Sequence, residues 1–286
     1  VTTEETSFAQ QYGPWAFVVG ASEGVGAAYA RAMAERGLNV VLLARRKDAL
    51  DELAAALRTE TGVETRTLAV DLTDADAMER ILDGTAGLEI GMVLYCAGAD
   101  PTYEPFLANP IEVPLTLVQR NCLVPMRICH HFAGLMAARG RGGIVLVSSA
   151  AGLAGARNMV AYGASKAFDM VMAEALWAEL HDGGVDVLAA VLGVTDTPAL
   201  RRLLARRGVL SGPDDPLPIP GAVTPEQVVA EVIENLPHGP THFVGEPVRA
   251  SERKLRGLSR NEAVKAMLAQ QNASVMSGGP AAGTAP

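Results

Sequence analysis

The sequence predicts an α/β fold: a single domain built on a doubly wound parallel sheet of about seven strands, with helices on both faces. Three observations predict it. Apolar, strand-like runs alternate with helical patterns along most of the chain, the order that builds parallel sheets. These runs are continuous in Val, Leu and Ile rather than alternating, as expected of a sheet buried on both faces. The chain has 286 residues, 49% of them hydrophobic but only 5% aromatic, enough for one large core filled by small and branched side chains.

The elements follow in order. Ala16–Gly20 reads as the first strand and Ala27–Arg36 as the helix after it. Asn39–Leu43 leads to a helix over Lys47–Thr59, and Thr65–Val70 to one over Ala75–Leu82. Gly91–Tyr95 is followed, after a loop, by a helix around Leu115–Ala138. Gly143–Ser148 precedes a long helix from Ala161 to His181, and Val185–Val191 and a short His242–Val244 complete the sheet. Leu200–Ala222 breaks the rhythm. Arg201, Arg202, Arg206 and Arg207 are followed there by Pro213, Pro216, Pro218 and Pro220, the composition of a long irregular insertion. A substrate lid is expected over about 198–222, within one domain spanning 1–272. The small, polar segment 273–286 has little to bury and is expected to be a flexible C-terminal tail.

Composition argues against several functions. With 24 basic and 32 acidic residues the formal charge is −8, which repels a phosphate backbone and speaks against nucleic acid as a partner. No stretch approaches the roughly 18 uninterrupted apolar residues of a membrane span. Val1–Gln11 is polar and acidic, without the regions of a secretion signal. The lack of an initiator Met predicts a processed or truncated chain. Cys96, Cys122 and Cys129 are odd in number and lack CxxC spacing, arguing against a disulfide framework or a metal site. Buried thiols and a reducing, cytoplasmic setting are expected.

Two ends of the predicted sheet carry chemistry. Gly20-Ala21-Ser22-Glu23-Gly24-Val25-Gly26 lies between the first strand and first helix. Such a turn aims backbone N–H groups and a helix N-terminus at an anion. Gly20 and Gly24 would let the backbone approach a pyrophosphate and Gly26 would let the helix pack close, with Ser22, Glu23 and Val25 between them. A ligand-free βα turn is the alternative. At the end of the second strand, where a carboxylate would bind a ribose 2′-hydroxyl, the sequence reads Ala44-Arg45-Arg46. Arg45 offers a planar fork and Arg46 further charge to a 2′-phosphate, favouring NADP(H) over NAD(H). Glu23 dissents, and a solvated Arg pair is the alternative. Asp71, beside Leu72, could accept a hydrogen bond from adenine, cap a helix starting near Thr73, or both.

At the other end, Tyr162 and Lys166 stand four apart on one predicted helix face. A phenol titrates near pH ~10, and a neighbouring ammonium favours its phenolate, which suits proton exchange with a carbonyl oxygen. The chain has few lysines (Lys47, Lys166, Lys254, Lys265) and five tyrosines, so an accidental pair is improbable, though a plain surface pair is the alternative. Ser149, at the end of the fifth strand, could hold the substrate oxygen, with Ser148 a structural hydroxyl.

Gly20–Gly26, Asp71, Cys96-Ala97-Gly98, Asn121, Ser149, Tyr162 and Lys166 together resemble the short-chain dehydrogenase/reductase superfamily over about residues 14–200. The resemblance implies a Rossmann-like fold and carbonyl–alcohol interconversion. It makes Asn121 the fourth member of an Asn-Ser-Tyr-Lys tetrad, organising a water that links Lys166 to solvent. It also implies cofactor contacts from Ala97, Gly98, Tyr162, Lys166, Thr195 and Thr197, and a homodimer or homotetramer paired through the long helices. Two departures stand out: Tyr95-Cys96 replaces the family's Asn-Asn, and Leu192-Gly193 its Pro-Gly. Altered local geometry, not lost activity, is expected. Tyr12-Gly13-Pro14-Trp15 and Gly37–Val41 are similar to the branch of hydroxysteroid dehydrogenases and long-chain 3-oxoacyl-CoA reductases. Leu192-Gly193 and the Glu23 turn resemble bacterial 7β-hydroxysteroid dehydrogenases. The expected partner is thus a small-molecule ketone or alcohol, large and apolar. The apolar lid residues Leu200, Leu203, Leu204 and Leu210 favour a steroid. The lid arginines would suit a 3-oxoacyl thioester through CoA phosphates, or form a solvated basic face. A non-catalytic NADP(H)-sensing regulator is the alternative from another class.

Overall fold

The structure, a computed structural model, describes residues 7–100, 102–212 and 214–272; the expected tail lies outside them. Seven strands, β1 (Trp15–Val19), β2 (Asn39–Ala44), β3 (Thr65–Ala69), β4 (Ile90–Tyr95), β5 (Gly142–Ser149), β6 (Val185–Leu192) and β7 (Thr241–Phe243), form one sheet in the order β3-β2-β1-β4-β5-β6-β7. Every pairing is parallel. The helices are α1 (Phe8–Tyr12), α2 (Gly24–Glu35), α3 (Lys47–Thr61), α4 (Ala77–Thr85), α5 (Glu112–Val118), α6 (Val124–Arg139), α7 (Val160–Leu180), α8 (Pro198–Arg206), α9 (Pro225–Asn235), α10 (Glu246–Arg256) and α11 (Arg260–Asn272). Among the described residues no helix is long and apolar enough to cross a membrane.

Successive strand residues feed opposite cores. Val18, Leu42, Leu94 and Val145 pack with Tyr29 and Met33 of α2 on one face. Phe17, Val41, Val93 and Ile144 pack with Ile128 and Phe132 of α6 on the other. The continuous apolar runs of β1, β2 and β4 are thus explained. The edge strands are the exceptions: β3 (Thr-Arg-Thr-Leu-Ala) and β7 are only partly covered.

The order in which strands are added reverses between β1 and β4, so a crevice opens beyond their carboxyl ends, the place where ligands bind in such sheets. The glycine turn, Cys96–Gly98, Ser149 and Thr195–Thr197 all lie on that edge.

Three expectations need correction. The helix expected over Leu115–Ala138 is broken into α5, a π-helical turn over Gln119–Leu123, and α6. In the π turn the Val124 N–H bonds Gln119 O, five residues back. Pro125 has no N–H to return to residue 121 in an α-helical ladder, and the wide turn falls there. The insertion expected as irregular from Leu200 begins as a helix, α8, capped by Thr197 with Pro198 in its first turn. Asp71 does not cap a helix: α4 begins only at Ala77, and Asp71 Oδ1 instead accepts from Thr73 N (3.0 Å) and Thr73 Oγ1 (2.8 Å), an Asx turn.

Candidate active site

The glycine turn is built by close approach. Gly20 has φ +90°, and a Cβ there would stand 2.8 Å from Ala97 N. A Cβ on Gly26 would clash with Gly20 O and lie 2.8 Å from Gly20 C. A Cβ on Gly24 (φ +57°) would sit 3.2 Å from Thr197 Cγ2. Thus Gly20, Ala97 and Thr197 converge on the N-terminus of α2, whose cap residue, Glu23, makes no capping bond. Ser22, Val25 and Gly98 flank this floor, and Gly98 (φ +128°) leaves room for Asn121. Thr195 Oγ1 is buried without a partner. A cradle of this kind fits a dinucleotide: orphan N–H groups for phosphates and a waiting hydroxyl. Leu72, by contrast, puts its side chain into the core.

At the end of β2 the two arginines differ. Arg45 is 72% exposed and its ion pair with Asp71 is long, 3.8 Å. Arg46 is held at 2.7 Å by Glu23 Oε2 and reaches Ser22 O and Oγ at 3.3 Å. Arg202 of α8 binds the same carboxylate. Burial would raise the Glu23 pKa, but the Arg202 and Arg46 guanidiniums outweigh it and hold the carboxyl below its usual range. At Asp71 burial likewise pushes the carboxyl pKa up, but the Thr73 hydrogen bonds and the Arg45 charge outweigh it and hold it below the usual range.

At the end of β5, Ser149 Oγ accepts from Ala151 N at 3.2 Å. The turn after it presses against α7: Cβ atoms on Gly152 and Gly163 would stand 2.7 Å from Ala167 N and 2.9 Å from Ala151 O. Small residues therefore bring the Ser149 segment against the helix that carries Tyr162. Lys166 is buried, its Nζ bonded to Val147 O (2.8 Å) and Asp169 Oδ2 (2.9 Å) and 6.0 Å from the Tyr162 ring centroid. Ser148 Oγ bonds Lys166 O at 2.6 Å, the structural role expected of it. Asn121 is fully buried in the π turn; its Nδ2 donates to Gly98 O (3.1 Å) and Ser165 Oγ (2.9 Å). Its side chain ties the β4 loop to α7 rather than touching Lys166.

Asp100, Glu104, Phe106, Val113, Leu117 and Val160 line a cleft beside Tyr162. The arginines of α8 and of the residue after it are engaged: Arg201 with Asp196 (2.6 and 2.7 Å), Arg202 with Glu23, Arg207 with Glu104 (3.9 Å). Sequence reading missed Tyr103, buried under the Arg207 guanidinium at 5.1 Å and receiving a 2.6 Å bond from Gln271 of α11. It also missed Arg120, whose Nη2 donates to Ala99 O at 2.8 Å, and Asp169. Only Arg120's adjacency to Asn121 and Asp169's i,i+3 spacing from Lys166 signalled them. Burial pushes the Cys96 thiol, standing where the family has Asn, up to about 12. Among the described residues no His, Cys, Asp or Glu cluster could hold a metal.

A model of the short chain dehydrogenase family matches residues 14–208. A 7beta-hydroxysteroid dehydrogenase of Clostridium sardiniense is 32% identical over 260 residues, 90% of this chain and 95% of that protein. Among solved structures, a 7beta-hydroxysteroid dehydrogenase superposes with a TM-score of 0.80 at 30% identity, covering 91% of this chain and 99% of that one. A short-chain dehydrogenase from Sphingobium yanoikuyae in complex with NADPH superposes at 0.74 with 28% identity, covering 95% and 98%.

Proposed function

This chain belongs to the short-chain dehydrogenase family and is an oxidoreductase of that type, and we propose that it interconverts a ketone and a secondary alcohol with NADP(H), on a large apolar substrate such as a steroid. The observation that carries this reading is the Tyr162–Lys166 pair, with a buried ammonium fixed 6.0 Å from the phenol ring at the carboxyl end of β5. In reduction the Tyr162 hydroxyl donates its proton to the substrate oxygen; in oxidation Tyr162 removes it. Ser149 Oγ holds that oxygen, Lys166 supplies positive charge beside the phenol, and Asn121 keeps the β4 loop against α7. The family's cofactors are NAD(P), which supply or accept the hydride when bound. Gly20, Gly24, Gly26, Ala97, Gly98, Thr195 and Thr197 would hold its phosphates and amide, and the exposed fork of Arg45 supports the 2′-phosphorylated form.

A steroid-like substrate is supported by the similarity to 7beta-hydroxysteroid dehydrogenases, and Phe106, Val113, Leu117 and Val160 give one side of the mixed cleft beside Tyr162 an apolar wall. The thioester reading needs lid arginines for CoA phosphates, and Arg201, Arg202 and Arg207 already bind carboxylates. With all four tetrad positions filled, turnover is favoured over mere sensing. Exposed Leu115, Leu123, Met126 and Val171 on α5–α7 support self-association through these helices, and three free cysteines fit a reducing cytoplasm.

The test is Tyr162→Phe, assayed by NADPH loss over a panel of bulky ketones. Turnover should fall about 10²- to 10⁴-fold with NADPH affinity little changed. Near-normal turnover would refute the mechanism.

A further inference from the structure

One buried carboxylate has no part in the chemistry above. Asp169 lies one turn beyond Lys166 on α7, 1% exposed. Its Oδ2 is 2.9 Å from Lys166 Nζ, and its Oδ1 has no hydrogen-bond partner. Tyr95 of β4, Cys122 of the π turn and Cys129 of α6 face it, but none neutralises it. The Tyr95 hydroxyl goes instead to Arg120 O. Burial raises the pKa of Asp169 and Lys166 opposes that rise.

An ammonium has three N–H groups. Here one is taken by Val147 O and one by Asp169, and the third remains for the Tyr162 and cofactor side. A buried lysine without a counter-charge is costly, and a carboxylate this close both fixes it and offsets its field. We propose that Asp169 is a positioning residue for Lys166, locking the ammonium between β5 and α7 and offsetting part of its charge, and so setting the pH range in which Tyr162 works.

The inference rests on the Tyr162–Lys166 reading, and the two fail separately. The experiment is the pH profile of kcat/KM for alcohol oxidation in wild type, Asp169→Asn and Asp169→Glu, with Tyr162→Phe alongside. Oxidation needs the phenolate, so removing a nearby negative charge moves its rising limb to lower pH, by about one pH unit. Asp169→Glu keeps the charge and should restore the wild-type limb. An Asp169→Asn limb that stays in place or moves up overturns the proposal, even with Tyr162→Phe inactive. An active Tyr162→Phe overturns the underlying reading instead. Should Asp169→Asn not fold, thermal unfolding of the neutral pair Lys166→Met with Asp169→Leu decides: a Tm recovering towards wild type supports charge compensation, and an unfolded double variant overturns it.

Discussion

Replacing Arg45 with Ala should separate NADPH from NADH. The Arg45 side chain is 72% exposed and only loosely engaged, since its ion pair to Asp71 spans 3.8 Å. Its fork is therefore available to a 2′-phosphate. A hydrogen bond to a charged group is worth about 1.5–3 kcal/mol, and the solvent exposure here points to the low end. At roughly 1.4 kcal/mol per tenfold, Arg45→Ala should weaken NADPH about tenfold and leave NADH unchanged. Arg46 is different, because Glu23 already holds it at 2.7 Å. Arg46→Ala should cost less, and Glu23→Gln, which removes a negative charge and a competitor for Arg46, should tighten NADPH a few-fold. Binding is measured by quenching of tryptophan fluorescence with each cofactor in turn. Equal losses for NADPH and NADH in Arg45→Ala, or none for either, would refute the assignment of the 2′-phosphate to this residue.

Two further predictions follow from packing and charge. Gly26→Ala places a methyl against Gly20 O with no flexible side chain to yield, so it should cost at least about 1–3 kcal/mol in stability and weaken both cofactors together; a wild-type Tm would contradict the close approach of α2. Glu23 and Asp196 are held below their usual pKa range, Asp196 chiefly by its hydrogen bonds to Arg201 and Glu23 by the Arg202 and Arg46 pairs acting against burial. Depressed folded values mean that their stabilisation is present above about pH 4 and is lost as the pH falls through those values. Limited proteolysis within 198–222 should thus rise below about pH 4, and an acid-insensitive cleavage rate would show that these pairs do not hold α8.

Most of the sheet was legible because buried parallel strands leave long apolar runs: β1, β4, residues 40–44 of β2, 144–147 of β5 and 187–192 of β6. Tyr162 and Lys166 were legible because their relation is local, four residues on one helix. What escaped notice depends on residues far apart or on backbone geometry. Arg202 meets Glu23 across 179 residues, and no window along the chain contains both. Asx-turn and N-cap roles are chemically alike, so Asp71 could be placed at the end of its strand but not assigned to one of them. Asp169 lay in plain view as a charge on an apolar helix, but its meaning came only from finding it buried against Lys166. The edge position of β3 was equally invisible, since strand order is set by crossovers and not by the strand itself.

The wide turn at Gln119–Leu123 makes chain length a quantity of its own. Each residue in a helix adds about 100° of rotation and 1.5 Å of advance. The extra residue in this turn therefore sets the phase of everything in α6 relative to α5. Deleting a residue there other than Asn121 would shift that phase by about 100°, swinging Asn121 away from Gly98 and Ser165 and rotating Ile128 and Phe132 out of the core they share with β1 and β4. No side chain need change type for the site to be lost. Along this stretch the count of residues carries as much information as their identity, whereas the proline-rich segment after α8 has no such phase to keep.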